Sequence, residues 1–265
     1  MTSDVLAVAA SALLGLLVGS FLNVVVWRVP RGESVAHPPS ACPRCGHRIR
    51  VRDNVPVVSW LLLRGRCRDC QGPISPRYPA VELGTALLFA AVAAWTGASW
   101  TLPALLYLAG VAVTLSLIDI DTRRLPDVIV LPSVVVGLAL LALATWAPGS
   151  SATGHDLARA LVGGAALFLV YVALVLAYPR GMGFGDAKLA GVLGLYLGWF
   201  GWGALVVGWF GAFVLGGVFA LVLVLVGRAG RGTAVPFGPW MLAGAAVGIV
   251  AGGDVASWYV GLFTV

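Results

Sequence analysis

LGTALLFAAVAAWTGASWTLPALLYLAGVAVTLSLI, residues 83–118, runs without a single charged side chain. A membrane-spanning helix needs about 20 predominantly apolar residues, so this stretch is long enough for two. It breaks in the middle, at Trp95-Thr-Gly-Ala-Ser-Trp100 and Pro103. Outward from it the same signal recurs. Val5 to Val26 reads as one span before it, and Val128–Trp146 and Ala160–Tyr178 as single spans after it. Leu189 to Gly227 holds two more around Gly198-Trp-Phe-Gly-Trp-Gly203, and Val235–Gly253 is the last. The fold class expected is an all-α polytopic membrane protein with about eight transmembrane helices. Composition agrees, with 60% hydrophobic and 11% charged residues against about 25% charged in a soluble domain. The first span follows Met-Thr-Ser-Asp, which lacks a basic n-region, and it exceeds the usual h-region, so it is expected to be a retained helix.

Basic residues set the orientation. The segment from Arg28 to Tyr78 holds ten arginines against Glu33, Asp53 and Asp69. The remaining cations are Arg123, Arg124, Arg159, Arg180, Lys188, Arg228 and Arg231. With both termini outside, all of them except Arg159 fall on the cytoplasmic side. The net charge of +6 is therefore a topology signal. It gives no reason to expect a nucleic-acid partner, whereas contact of the basic loop with anionic lipid headgroups is expected. Residues 1–27 are read as the first transmembrane helix, 28–78 as a cytoplasmic insert, and 79–265 as a membrane domain of seven further helices.

The insert is poor in apolar residues and needs a staple to fold. It carries all four cysteines, as Cys42-Pro-Arg-Cys45 and Cys67-Arg-Asp-Cys70. Two such pairs read as a tetrathiolate zinc site, with two disulfides, an iron–sulfur site and a metal-free form as the other readings. A cytoplasmic location disfavours disulfides, and zinc would supply the missing folding energy. A closed four-sulfur site is structural. His37 and His47 are expected to be loop residues and not further ligands.

Acids near a bilayer are functional candidates. Glu82, Asp119, Asp121, Asp127 and Asp186 lie at the cytoplasmic ends of spans, while Asp4, Asp156 and Asp254 lie outside and are expected to solvate loop ends. Asp119 closes the third span within Leu117-Ile-Asp-Ile-Asp-Thr-Arg-Arg-Leu-Pro-Asp127, and Asp186 opens the sixth within Gly181-Met-Gly-Phe-Gly-Asp-Ala-Lys188. Both sit at one membrane depth. Two carboxyls sharing a site cannot both ionise cheaply, so one activates water while the other, protonated, polarises a carbonyl. Gly183 and Gly185 leave room for a substrate chain. Capping of the sixth span by Asp186 is the alternative use of that residue.

Gly183-Phe-Gly-Asp186 resembles the GxGD signature of intramembrane aspartyl proteases. With Asp119-Ile-Asp-Thr-Arg-Arg-Leu-Pro-Asp127 it resembles the bacterial type IV prepilin peptidases. Gly19-Ser-Phe-Leu-Asn-Val-Val-Val-Trp-Arg-Val-Pro30, the cysteine-bearing His37–His47 segment, Asp53-Asn-Val-Pro-Val-Val-Ser-Trp60, Ile74-Ser-Pro-Arg-Tyr-Pro-Ala-Val-Glu82 and Val235-Pro-Phe-Gly-Pro239 extend the likeness over nearly the whole chain. The resemblance implies an endopeptidase that removes basic leaders from prepilins and pseudopilins after a glycine, at the cytoplasmic face of the inner membrane. Asp119 and Asp186 are then the catalytic pair. Asp121, some 200° further around the helix, is second choice for the first aspartate, and Asp127 is expected to be a cap. Lys188 either tunes the neighbouring carboxylate or reaches the headgroups. Many members with the cysteine loop are also N-methyltransferases that use S-adenosylmethionine, for which Glu33, Asp53 and Asn54 are candidates, or else turn formers; a peptidase lacking methyl transfer is the alternative. A zinc-stapled transporter and a non-catalytic pilus or secretion assembly factor are the competing readings. The sequence leaves the oligomeric state open.

Overall fold

The computed structural model describes residues 2–179, 181–228, 230 and 235–263. Arg180 and Arg231 of the basic set lie outside the described residues. Among the described residues the structure is helical, with α1 Thr2–Arg28, α2 Val58–Leu62, α3 Arg77–Thr96, α4 Leu102–Thr122, α5 Asp127–Trp146, α6 Gly154–Ala177, α7 Phe184–Phe200, α8 Trp202–Leu225 and α9 Gly238–Gly261. Seven of these are long and apolar enough to cross a membrane. The eighth expected span is α7, at 17 residues. It rises only about 25 Å at 1.5 Å per residue, short of the ~30 Å hydrocarbon layer. Its neighbours cover it instead, and Ala187, Leu189, Ala190 and every residue from Val192 to Gly198 are buried.

The described chain forms two compact units, Met1–Thr114 and Leu115–Val265. In the first, α1 packs on α3 through small residues. A Cβ placed on Gly15 would meet the Ala86 backbone at 2.7 Å, and one on Gly19 would meet Glu82 Cα at 2.8 Å. Asn23 ties the two helices again, its side-chain amide donating to the Gly19 and Tyr78 carbonyls. The insert between them is tied to α1 by Arg28, which donates to the Ser34 and Pro38 carbonyls, and to α3 by a carboxylate. The Val57 N–H donates to Glu82 Oε2 at 2.8 Å, and Glu82 is 8% exposed. Val57 itself has φ 61° and ψ −50°, with Val58 N–H bonded to the Pro56 carbonyl at 2.6 Å. That is a γ-turn of the rare positive-φ kind, strained for a β-branched residue. The carboxylate bond holds it.

In the second unit α7 is the central helix, packed by α5, α6, α8 and α9. Lipid offers no hydrophobic drive between helices, so close backbone approach must hold them. Gly163 and Gly194 face each other across α6 and α7, and a Cβ on Gly198 would meet the Arg159 carbonyl oxygen at 2.6 Å. Gly208, Gly244, Gly248 and Gly252 do the same for α8 and α9. Arg159 closes the short helix: its guanidinium donates to the Gly198 and Trp199 carbonyls at 2.6 and 2.7 Å, satisfying orphan C=O groups at the α7 terminus. Asp156 does more than solvate a loop end. It accepts the Thr153 N–H at 2.7 Å as a cap and pairs with Arg159 at 2.7 Å, so α6 begins at Gly154, six residues before the expected Ala160. The C-terminal apolar residues extend α9 to Gly261.

Gly194→Leu is expected to lower the thermal midpoint in detergent, because overpacking costs about 1–3 kcal/mol. Gly217→Leu, where a Cβ meets nothing within 4 Å, is expected to leave the midpoint near wild type.

Candidate active site

Helix α4 delivers Asp119 one turn before its end, and Arg123 then turns the chain out with φ 53°, its N–H still on the Asp119 carbonyl at 2.8 Å. Asp119 is 5% exposed, while Asp121 on the same helix is exposed. The burial leaves the Asp119 carboxyl with a specific partner: Oδ2 accepts the Gly238 N–H at 2.9 Å. Gly238 opens α9. A Cβ there would stand 2.8 Å from the same oxygen, so the close approach requires glycine.

Asp186 is the third residue of α7, and Gly183 is the cap position. Its Oδ2 accepts the Gly183 N–H at 3.0 Å, the reciprocal half of a capping box. The Gly183 bond uses one oxygen of the carboxyl. The Gly238 bond does the same at Asp119. The two carboxyls are close enough for their charges to interact, and the Asp186 charge also reaches the buried Tyr171. Gly185 lets Leu125 of the α4–α5 loop approach, its Cβ 3.1 Å from where a Gly185 Cβ would stand.

Lys188 neither reaches outward nor faces the Asp186 carboxyl as its partner. Its Nζ bonds both oxygens of Asp127 at 2.7 Å and lies 5.2 Å from the Phe184 ring centre. Asp127, expected to be a cap, is instead the first residue of α5, with Pro126 at the cap position. The reason is reach: a lysine one turn into α7 competes successfully for a carboxylate with free access.

The four cysteines come together in the first unit. Their sulfurs lie within 4.8 Å of one another, and Cys42 and Cys70 Sγ are 3.8 Å apart. A tetrahedron of ~2.3 Å metal–sulfur bonds has edges of about 3.8 Å, so the donor set fits one metal ion. Both pairs use one hydrogen-bond pattern. Cys42 N–H donates to the His47 carbonyl and Gly46 N–H returns to Cys42; Cys67 N–H donates to the Gly72 carbonyl and Gln71 N–H returns to Cys67. Backbone N–H groups of Cys45, then Arg44, pull the Cys42 thiol down to about 6, while the Cys45 thiol, against the His47 backbone N–H, is pushed up to about 12 by burial and the neighbouring thiols. Arg68 grips Asp53 with Nε and a terminal nitrogen at 2.7–3.0 Å, which holds the Asp53 carboxyl below its usual range. With Arg50 on Asp69 at 2.8 Å, this straps the Val51–Asp53 turn to the second knuckle. Asn54, beside it, lines a cleft of about 330 Å3 together with Ser20, Phe21, Arg28, Pro38 and Pro56.

Sequence reasoning missed Gly238 and Leu125 as parts of the aspartate site. The Pro236-Phe-Gly-Pro239 motif was a signal for the first, since a glycine just ahead of a span marks a close approach. Nothing local marks the second.

The chain matches two family profiles, the Bacterial Peptidase A24 N-terminal domain over residues 13–96 and the Type IV leader peptidase family over residues 106–225. It is 40% identical to a prepilin leader peptidase/N-methyltransferase of Pseudomonas putida, over 94% of this chain and 92% of that protein. A protein of the same name from Aeromonas hydrophila is 37% identical over 93% and 91%, and one from Neisseria gonorrhoeae is 40% identical over 88% and 86%. No solved structure matches the chain.

Elemental analysis of gently purified protein is expected to find one metal ion per chain. Its removal by a chelator is expected to open the arginine-rich 28–78 segment to trypsin, and a chelated protein as trypsin-resistant as before would count against a structural metal.

Proposed function

The chain belongs to the type IV leader peptidase family, and on that footing we propose that it cleaves the leaders of type IV prepilins and pseudopilins after a glycine, and then N-methylates the new amino terminus. The protein is a multi-pass membrane protein. We infer a location in the inner membrane, with both termini outside and the site at the cytoplasmic face; the distribution of basic residues supports this.

Asp119 and Asp186 form the catalytic pair. The observation that carries this reading is their matched setting: each gives one oxygen to a glycine N–H, at 2.9 and 3.0 Å, at the cytoplasmic ends of two helices of one unit. One carboxyl is ionised and takes a proton from water as the water oxygen bonds to the scissile carbonyl carbon. The other, protonated, passes its proton to the carbonyl oxygen. The C–N bond then breaks, the nitrogen leaving with a proton from the pair. The pair titrates as a unit. Gly183 keeps a side chain away from the entering peptide, Gly185 makes room for Leu125, and Lys188, through Asp127, fixes the α7 start against α5.

The metal of the insert is zinc, bound by Cys42, Cys45, Cys67 and Cys70 in a structural role; four sulfurs leave no open position. Methyl transfer draws on S-adenosylmethionine, which supplies an electrophilic methyl group. The cleft beside the insert supports this, because its ~330 Å3 falls in the range of small-molecule sites. Arg28, Asn54 and Phe21 line that cleft and would hold the cofactor, Arg28 with a guanidinium that also donates to the Ser34 and Pro38 carbonyls. Asp53 is already committed to Arg68 and serves as a strut for Asn54.

Asp119→Ala and Asp186→Ala are each expected to lower cleavage of a co-expressed prepilin at least a hundredfold, with normal membrane insertion. Mass spectrometry of the mature amino terminus reads this, and near-normal cleavage would remove that residue from the pair. Asn54→Ala is expected to leave leader removal intact while the added methyl mass falls; an unchanged methyl yield would take the cleft out of methyl transfer.

A further inference from the structure

The loop Arg123–Pro126 joins the helix that ends with Asp119 to α5. It is held at both ends. Upstream the Arg123 N–H is on the Asp119 carbonyl at 2.8 Å, and downstream Asp127 is gripped through both oxygens by Lys188. Leu125 therefore has a fixed place, and it touches the backbone that supports each aspartate. Its Cβ, Cδ1 and Cγ lie 3.1, 3.6 and 3.7 Å from the Cβ position of Gly185, the residue before Asp186. Its Cδ2 lies 3.4 Å from the Cβ position of Gly238, whose N–H holds Asp119.

The geometry points to Leu125 as the residue that restricts the last leader position to glycine. This rests on the peptidase reading above. A scissile carbonyl that reaches both carboxyls brings the preceding Cα alongside the strip between Gly185 and Gly238. Leu125 fills that strip. Neither glycine has a side chain that could give way, and the loop is pinned at both ends, so a methyl group on the substrate Cα has nowhere to go. A substrate glycine carries nothing there. Discrimination follows from exclusion, which suits a one-carbon difference: a methyl or methylene clash in a closed pocket is worth roughly 10–200-fold.

The test uses the full-length enzyme in lipid and a prepilin with glycine or alanine at the last leader position, comparing kcat/KM. Leu125→Ala is expected to raise the alanine-to-glycine ratio at least tenfold, with Leu125→Val between it and wild type. An unchanged ratio in both variants overturns the assignment and puts the glycine requirement in the substrate backbone. Loss of glycine cleavage in both variants, with wild-type thermal midpoints, overturns it as well, because the side chain would then be needed for turnover itself. Failure of the wild-type enzyme on the glycine substrate would count against the peptidase reading and not against Leu125 alone.

Discussion

In a bilayer, helices gain little by hiding apolar surface from one another, so they must gain by proximity. Here that constraint falls on α7. Its glycines let α6 come to within backbone contact, and Gly208, Gly244 and Gly248 bring α8 and α9 equally close to each other. A helix surrounded in this way can be short, and α7 is, at 17 residues. Its far end is finished by a guanidinium in place of another turn. Its near end is then fixed in depth, and Asp186 with it.

The aspartates are set by backbone and not by other side chains. Gly183 and Gly238 each present an N–H to one carboxylate oxygen, and a side chain at Gly238 would destroy the contact that holds Asp119. Such support is stiff, since a helix start moves less than a side-chain donor does. It takes up Oδ2 of each carboxyl. The ion pair of Asp127 with Lys188 sits outside this arrangement and ties the start of α5 to α7.

Most of the fold was legible because lipid imposes a coarse rule on sequence. Uncharged runs gave the spans, and the Trp95–Pro103 break falls where α3 stops at Thr96 and α4 starts at Leu102. The rule failed at α6, where charged Asp156 and Arg159 hid the first six residues because their charges are consumed by a cap and by the α7 terminus. The cysteine cluster was legible from spacing alone. The aspartates stood out as rare acids at span ends, and the Pro236–Pro239 motif marked Gly238 as a close approach, but which groups meet which was not readable. Gly238 is 119 residues from Asp119, and Leu125 is an ordinary apolar residue among many. Lys188 was misread for the same reason, its partner lying 61 residues away.

Every sulfur of the cysteine cluster comes from residues 42–70, and the hydrogen bonds that shape the two knuckles close by Ile74. Chains leave the ribosome amino-terminus first, at about 5–20 residues per second. The insert therefore has all it needs to fold while α7 and its aspartate are still untranslated. A metal ion held by these four sulfurs would join the chain during biogenesis, in the several seconds before α7 is made.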